Sequence, residues 1–192
     1  MRSEQPKLIK LSEYRLPDYL INETQLTFEL FEDYALVSAQ LLMERNPGLD
    51  SSLPPLILDG EQLELLQVKL DGQLLTADQY QLDERSLQLQ PRGEKFVLNT
   101  TVRIEPQNNT ELEGLYKSAG MFCTQCEAEG FRKITYYLDR PDVMSRFTTT
   151  IHADKNRYPV LLSNGNPIAK GKDDQGRHWA TWQDPFKKPA YL

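Results

Sequence analysis

The chain has 192 residues, enough for one sizeable core, and no linker-like shift in composition divides it. Its 22 Lys and Arg face 28 Asp and Glu, a net charge of -6 that disfavours non-specific attraction to nucleic acid or to an anionic membrane. No run of about 18 apolar residues occurs, the first residues lack an apolar h-region with a cleavage site, and two cysteines cannot form a disulfide framework, so a soluble cytoplasmic protein with reduced thiols is expected.

After a polar lead-in, Leu26, Phe28 and Leu30 alternate with Thr27 and Glu29, the period of two that puts apolar side chains on one strand face. Glu32-Asp33 predicts a turn. Val37, Ala39, Leu41 and Met43 predict a return strand, ended by Asn46-Pro47-Gly48. The short run Leu56-Ile57-Leu58 stops at Asp59-Gly60, and Leu66, Val68 and Leu70 then alternate up to Asp71-Gly72, a dipeptide suited to a two-residue hairpin turn. Tyr80 and Leu82, Leu87 and Leu89, and then Phe96, Leu98, Val102 and Ile104 continue the pattern until Pro106, which cannot donate to a ladder. No helix is predicted in this part. Further on, Asp139 is placed to cap a short helical turn with Pro141 near its start. Strands are predicted again over Thr148 to Ala153, Val160 to Leu162 and His178 to Trp182, with turns at Asn164-Gly165 and Gln175-Gly176. The whole predicts an all-β protein, an antiparallel β-sandwich with at most one short helix. The apolar ending Ala190-Tyr191-Leu192 leads to the expectation of a chain cut from a longer protein.

One stretch, Met121 to Phe147, follows no regular period. It gathers both cysteines, several carboxylates and the rings of Phe122, Phe131, Tyr136, Tyr137 and Phe147. Cys123 and Cys126 have CxxC spacing, which suits half a zinc site or a redox pair. Against both readings, His152 and His178 stand alone in strand-like segments and no βαβ setting surrounds the pair, so structural thiols are the plainer reading. Glu127 and Glu129 are neighbours on one segment, whereas a glycosidase pair faces across its substrate. In an extended backbone Gln125, Glu127 and Glu129 would share a side, where an amide and a carboxylate could converge on a cation; solvated loop carboxylates are the plainer alternative. Trp179 and Trp182 fall on opposite strand faces, so at least one belongs to the core.

The run from Cys123 to Arg132, CTQCEAEGFR, followed by ITYYLDRPDV from Ile134 to Val143, closely resembles the zinc aminopeptidase N family of bacteria. The resemblance extends through Leu16-Pro17-Asp18-Tyr19, Leu112 to Tyr116, Leu161 to Asn166 and Trp182 to Phe186, and so covers nearly the whole chain. It implies an N-terminal β-domain of twisted, saddle-like sheets spanning residues 1–192, preceding a thermolysin-like catalytic domain. The family's zinc motif, His-Glu-x-x-His, and its Gly-Ala-Met-Glu-Asn substrate segment are absent from this chain. The resemblance therefore implies zinc in the full-length enzyme, no zinc or catalytic residue in this chain, and no activity for the chain alone. It also implies that Gln125 and Glu127 match the family's Gln-x-Glu, which reaches into the neighbouring domain's cleft and binds the free α-ammonium of a peptide substrate. Glu129 has no such role and is expected to pair with Arg132 or Lys133. The expected partners are the peptide N-terminus and the enzyme's own catalytic domain, with no nucleic acid and no membrane. The competing reading is a free-standing β-sandwich binding module.

Overall fold

The computed structural model describes residues 10–49 and 53–192, so most of the polar lead-in lies outside the described residues. Thirteen strands form among them: β1 (Tyr19–Leu30), β2 (Ala35–Arg45), β3 (Leu56–Asp59), β4 (Glu64–Leu70), β5 (Gln73–Leu74), β6 (Tyr80–Leu82), β7 (Ser86–Leu89), β8 (Lys95–Ile104), β9 (Gly114–Ser118), β10 (Met121–Gln125), β11 (Ser145–Ala153), β12 (Asn166–Lys172) and β13 (His178–Lys188). Eight build one sheet in the order β12-β13-β11-β1-β2-β8-β4-β5, three build a second in the order β3-β7-β6, and β9 with β10 makes a separate hairpin. The fold is all-β as expected. Its strand pairs are antiparallel except β1 with β11, which run parallel from Glu23↔Arg146 to Glu29↔His152. Helix among the described residues is limited to single 3₁₀ turns, such as Ala77–Gln79 and Phe131–Lys133, and none is long and apolar enough to cross a membrane.

Alternation explains which face each strand buries. Ala35, Val37, Ala39, Leu41 and Met43 of β2 and Phe96, Leu98, Val102 and Ile104 of β8 all point into the core, as their period of two requires. In β1 a register shift between Ile21 and Glu23 changes the buried parity, from Tyr19 and Ile21 to Leu26, Phe28 and Leu30. A shift in β4 between Leu65 and Gln67 has the same effect and corrects one expectation: Val68 and Leu70 are buried, but Leu66 faces outward. Asp71 and Gly72, both at positive φ, make the predicted two-residue turn between β4 and β5.

Two further expectations are corrected. Val160 to Leu162 is not a strand; Val160 and Leu162 are exposed, and the Leu161 carbonyl accepts a hydrogen bond from Trp182 Nε1 at 3.1 Å instead of joining a ladder. The strand lies just beyond, in β12, where Pro167 and Gly171 obscure the pattern. Pro is tolerated because β12 is an edge, and a Cβ on Gly171 would stand only 2.8 Å from the Trp179 ring. Asp139 does not cap a helix either. Pro141 and Asp142 form a turn closed by the Val143 N–H to the Arg140 carbonyl at 3.2 Å, and the Asp139 carboxylate points elsewhere.

A continuous apolar core joins the inner face of the large sheet to Leu56 and Leu58 of β3 and to Leu87 and Leu89 of β7. Wedged into it is the segment 131–138, in which Phe131, Ile134, Tyr136, Tyr137 and Leu138 are buried. Its backbone is tied to β3, with Asp59 N–H donating to Tyr137 O (2.8 Å) and Tyr137 N–H to Asp59 O (3.0 Å). The Tyr137 hydroxyl meets Thr24 Oγ1 at 3.0 Å, so one residue bridges the small sheet and β1. The crowd of rings seen in the sequence is this wedge, and the loop of interest leads directly into it.

Candidate functional site

The β9–β10 hairpin turns tightly at Ala119 and Gly120, both at positive φ, and its register sets Gln125 opposite Gly114. Beyond Gln125 the extended alternation ends: residues 127–130 turn, closed by the Gly130 N–H to the Cys126 carbonyl at 2.9 Å. The Glu127–Ala128 peptide bond is cis. Gln125, Glu127 and Glu129 therefore do not line one strand face, which corrects the extended reading. All three are exposed. Glu129 lies 3.5 Å from Arg132, whereas neither the Gln125 amide nor the Glu127 carboxylate has a side-chain partner among the described residues.

What lies beneath this loop is closely fitted. A Cβ on Gly130 would come within 2.6 Å of Gln125 O and 3.0 Å of the Gly114 N, and one on Gly114, itself at φ +75°, would come within 2.8 Å of Lys133 Cβ. Only glycine allows the two backbone strands to approach this closely. Lys133 is largely buried and paired with Glu111 and, at 2.9 Å, Glu113. Asn109 Nδ2 donates to the carbonyls of Glu113 (2.7 Å) and Leu115 (2.9 Å), which fixes the start of β9.

Arg132 is the other anchor. Its Nε donates to Asp139 Oδ2 at 3.0 Å, its backbone N–H to the same oxygen at 3.1 Å, and its Nη2 to the Asp139 carbonyl at 3.2 Å. The Asp139 N–H in turn donates to Asp59 Oδ2 at 3.2 Å. Burial raises the proton affinity of both carboxyls, and Arg132 pulls the other way. The expected pairing of Glu129 with Arg132 is present, but the meeting of Arg132 with Asp139 and Asp59 was missed in the sequence, where Asp139 reads as a helix cap and Asp59 as the end of a strand in a turn. The available signal was an arginine set in the largely apolar run from Phe131 to Leu138, where a charge demands a partner.

The remaining candidates bring nothing together. The Cys126 thiol is pushed up to about 12, chiefly by burial, which makes it a poor nucleophile and metal ligand. His152 Nδ1 lies 3.6 Å from Glu29, and His178 Nε2 is 2.7 Å from the Tyr158 carbonyl. Trp179 and Trp182 are both half-buried. Among the described residues no three His, Cys, Asp or Glu side chains are grouped so as to hold a metal ion. Two clefts, of about 270 and 490 Å³, are lined by other residues than Gln125 and Glu127.

Residues 49–192 match the Peptidase M1 N-terminal domain. The chain is 48% identical over 192 residues to an aminopeptidase N of Caulobacter vibrioides, covering 100% of this chain and 22% of that protein. It is 48% identical over 190 residues to aminopeptidase N of Escherichia coli, covering 99% and 21%. It superposes on the structure of Legionella pneumophila aminopeptidase A in complex with aspartic acid with a TM-score of 0.90 at 36% identity, over 95% of this chain and 22% of that one. An M1 zinc metallopeptidase of Deinococcus radiodurans shares the fold at 16% identity, with a TM-score of 0.75 over 92% of this chain and 41% of that one. The chain thus spans about a fifth of the length of its curated relatives. By its match over residues 49–192, the chain belongs to the Peptidase M1 N-terminal domain family.

Proposed function

We propose that this chain is the N-terminal domain of a cytoplasmic zinc aminopeptidase that removes residues from the free ends of peptides, and that its loop at Gln125 and Glu127 binds the substrate α-ammonium. The observation that carries the reading is the Glu127 carboxylate, exposed and without a side-chain partner, on a loop whose base is fixed by buried groups. An uncommitted carboxylate can give a charge-assisted hydrogen bond to an ammonium, and the Gln125 amide oxygen can accept a second. When the catalytic domain closes over this loop, an internal peptide bond would leave the carboxylate desolvated and unpaired, which penalises cleavage away from the end. The relatives' shared name, aminopeptidase N, supports the reaction class. Zinc and the hydrolytic groups belong to parts of the enzyme outside this chain.

The test is Glu127→Ala in the full-length enzyme. The expected outcome is a fall in kcat/KM on an aminoacyl substrate of roughly a hundred- to ten-thousandfold, with zinc content unchanged. Near wild-type kcat/KM would overturn the assignment.

A further inference from the structure

We propose that Asp139, backed by Asp59, is a positioning residue that keeps the Arg132 guanidinium turned into the domain and so leaves Glu127 unpaired for the ammonium. The proposal rests on the reading of Glu127 given above. Arg132 follows Glu127 by five residues in the same short loop, and a long, permanently charged side chain is the nearest candidate in sequence to quench that carboxylate. It does not do so. The Arg132 side chain is only 16% exposed and its Asp139 partner 2%. Nε is held by Asp139 Oδ2 at 3.0 Å and Nη2 by the Asp139 carbonyl at 3.2 Å, and the bonds from two nitrogens fix the plane of the guanidinium.

The outward side of the group is also engaged, since Nη2 lies 3.5 Å from Glu129. Asp139 cannot swing away, because its carboxylate also accepts the Arg132 N–H at 3.1 Å and its own N–H is held by Asp59 Oδ2 at 3.2 Å. Asp59 is fixed in turn by its backbone bonds to Tyr137. One guanidinium is thus held between Asp139 and Glu129, with the charge of Asp59 nearby, and Glu127 receives none of it. Neutralising Asp139 would loosen the guanidinium, and the acceptors then open to it on the loop are Glu129 and Glu127.

The experiment uses the full-length enzyme and two inhibitors, leucine hydroxamic acid and 4-methylpentanoic hydroxamic acid, which differ only in the α-amine. The inhibition constant of the des-amino compound divided by that of leucine hydroxamic acid reads recognition of the ammonium. Asp139→Asn is expected to lower that ratio by about fivefold, the strength of a modest ion pair competing for Glu127, with binding of the des-amino compound unchanged. The double variant Asp139→Asn with Arg132→Gln is expected to regain most of the ratio, because no cation remains to turn outward. A residue that merely supports the fold would weaken both compounds together, and the double variant would be worse than the single. A wild-type ratio in Asp139→Asn, or no recovery in the double variant, overturns the proposal. Should Asp139→Asn fail to fold, Asp59→Ala, which removes the acceptor of the Asp139 N–H, tests the same hold one step back, and an unchanged ratio there overturns it equally. Glu127→Gln is the reference: it should abolish the ratio, and if it does not, the underlying reading of Glu127 fails, independently of Asp139.

Discussion

Glu32 sits in the turn between β1 and β2, where its carboxylate accepts hydrogen bonds from Lys117 Nζ and Tyr158 OH, both at 2.9 Å, and lies 2.7 Å from Arg157. Lys117 first, then Tyr158 and Arg157, hold its pKa at about 2 against an ordinary 4.5. Because the folded value lies below the unfolded one, the stabilisation is complete above about 4.5 and is lost as pH falls through about 2. Glu32→Gln should therefore lower the melting temperature at neutral pH, by a modest amount because the carboxylate is 41% exposed and screened, and the gap should close as the pH approaches 2. Melting curves across that range check it; a gap that does not narrow with acidification would contradict the assignment. Cys126 gives a second test at this scale. With its thiol pushed up to about 12 by burial, it should resist iodoacetamide at pH 8 in the native protein and react once the chain is unfolded, as read by mass spectrometry. Its CxxC spacing alone left structural, metal and redox readings open, because spacing says nothing about desolvation.

Gly130 and Gly114 set how closely the loop lies on the start of β9. Gly130→Ala should destabilise the protein by about 1–3 kcal/mol, since its Cβ would meet backbone atoms that cannot swing aside, and a melting temperature equal to the parent's would refute that close approach. The elements were legible where the strand period runs unbroken, as in β2 and β8, whose buried residues are the alternating ones. They were illegible where one extra residue changes the parity, as at Ile21/Glu23 and Leu65/Gln67, because a bulge is a property of the pairing and not of either strand alone. Val160 to Leu162 misled for the opposite reason: Val160 and Leu162 are exposed, only Leu161 packs against the core, and no ladder forms. The glycine that lets Trp179 lie over β12 hid a true strand.

Across the whole molecule, the identities of Gln125 and Glu127 stood out in the sequence, but the arrangement that leaves Glu127 unpaired did not. It depends on Arg132, Asp139 and Asp59, brought together by a wedge that crosses from one sheet to the other, and no local pattern encodes such a meeting. The same division of labour predicts that the purified chain hydrolyses no aminoacyl substrate on its own, with activity returning only when the rest of the enzyme is present; turnover by the isolated chain would refute it. The measurement that tests the central claim most directly is a structure of the full-length enzyme with a ligand bearing a free α-amine. The account predicts the amine nitrogen within about 2.7–3.2 Å of the Glu127 carboxylate and the Gln125 amide oxygen. An amine bound elsewhere, with Glu127 facing solvent or paired with Arg132, would contradict it.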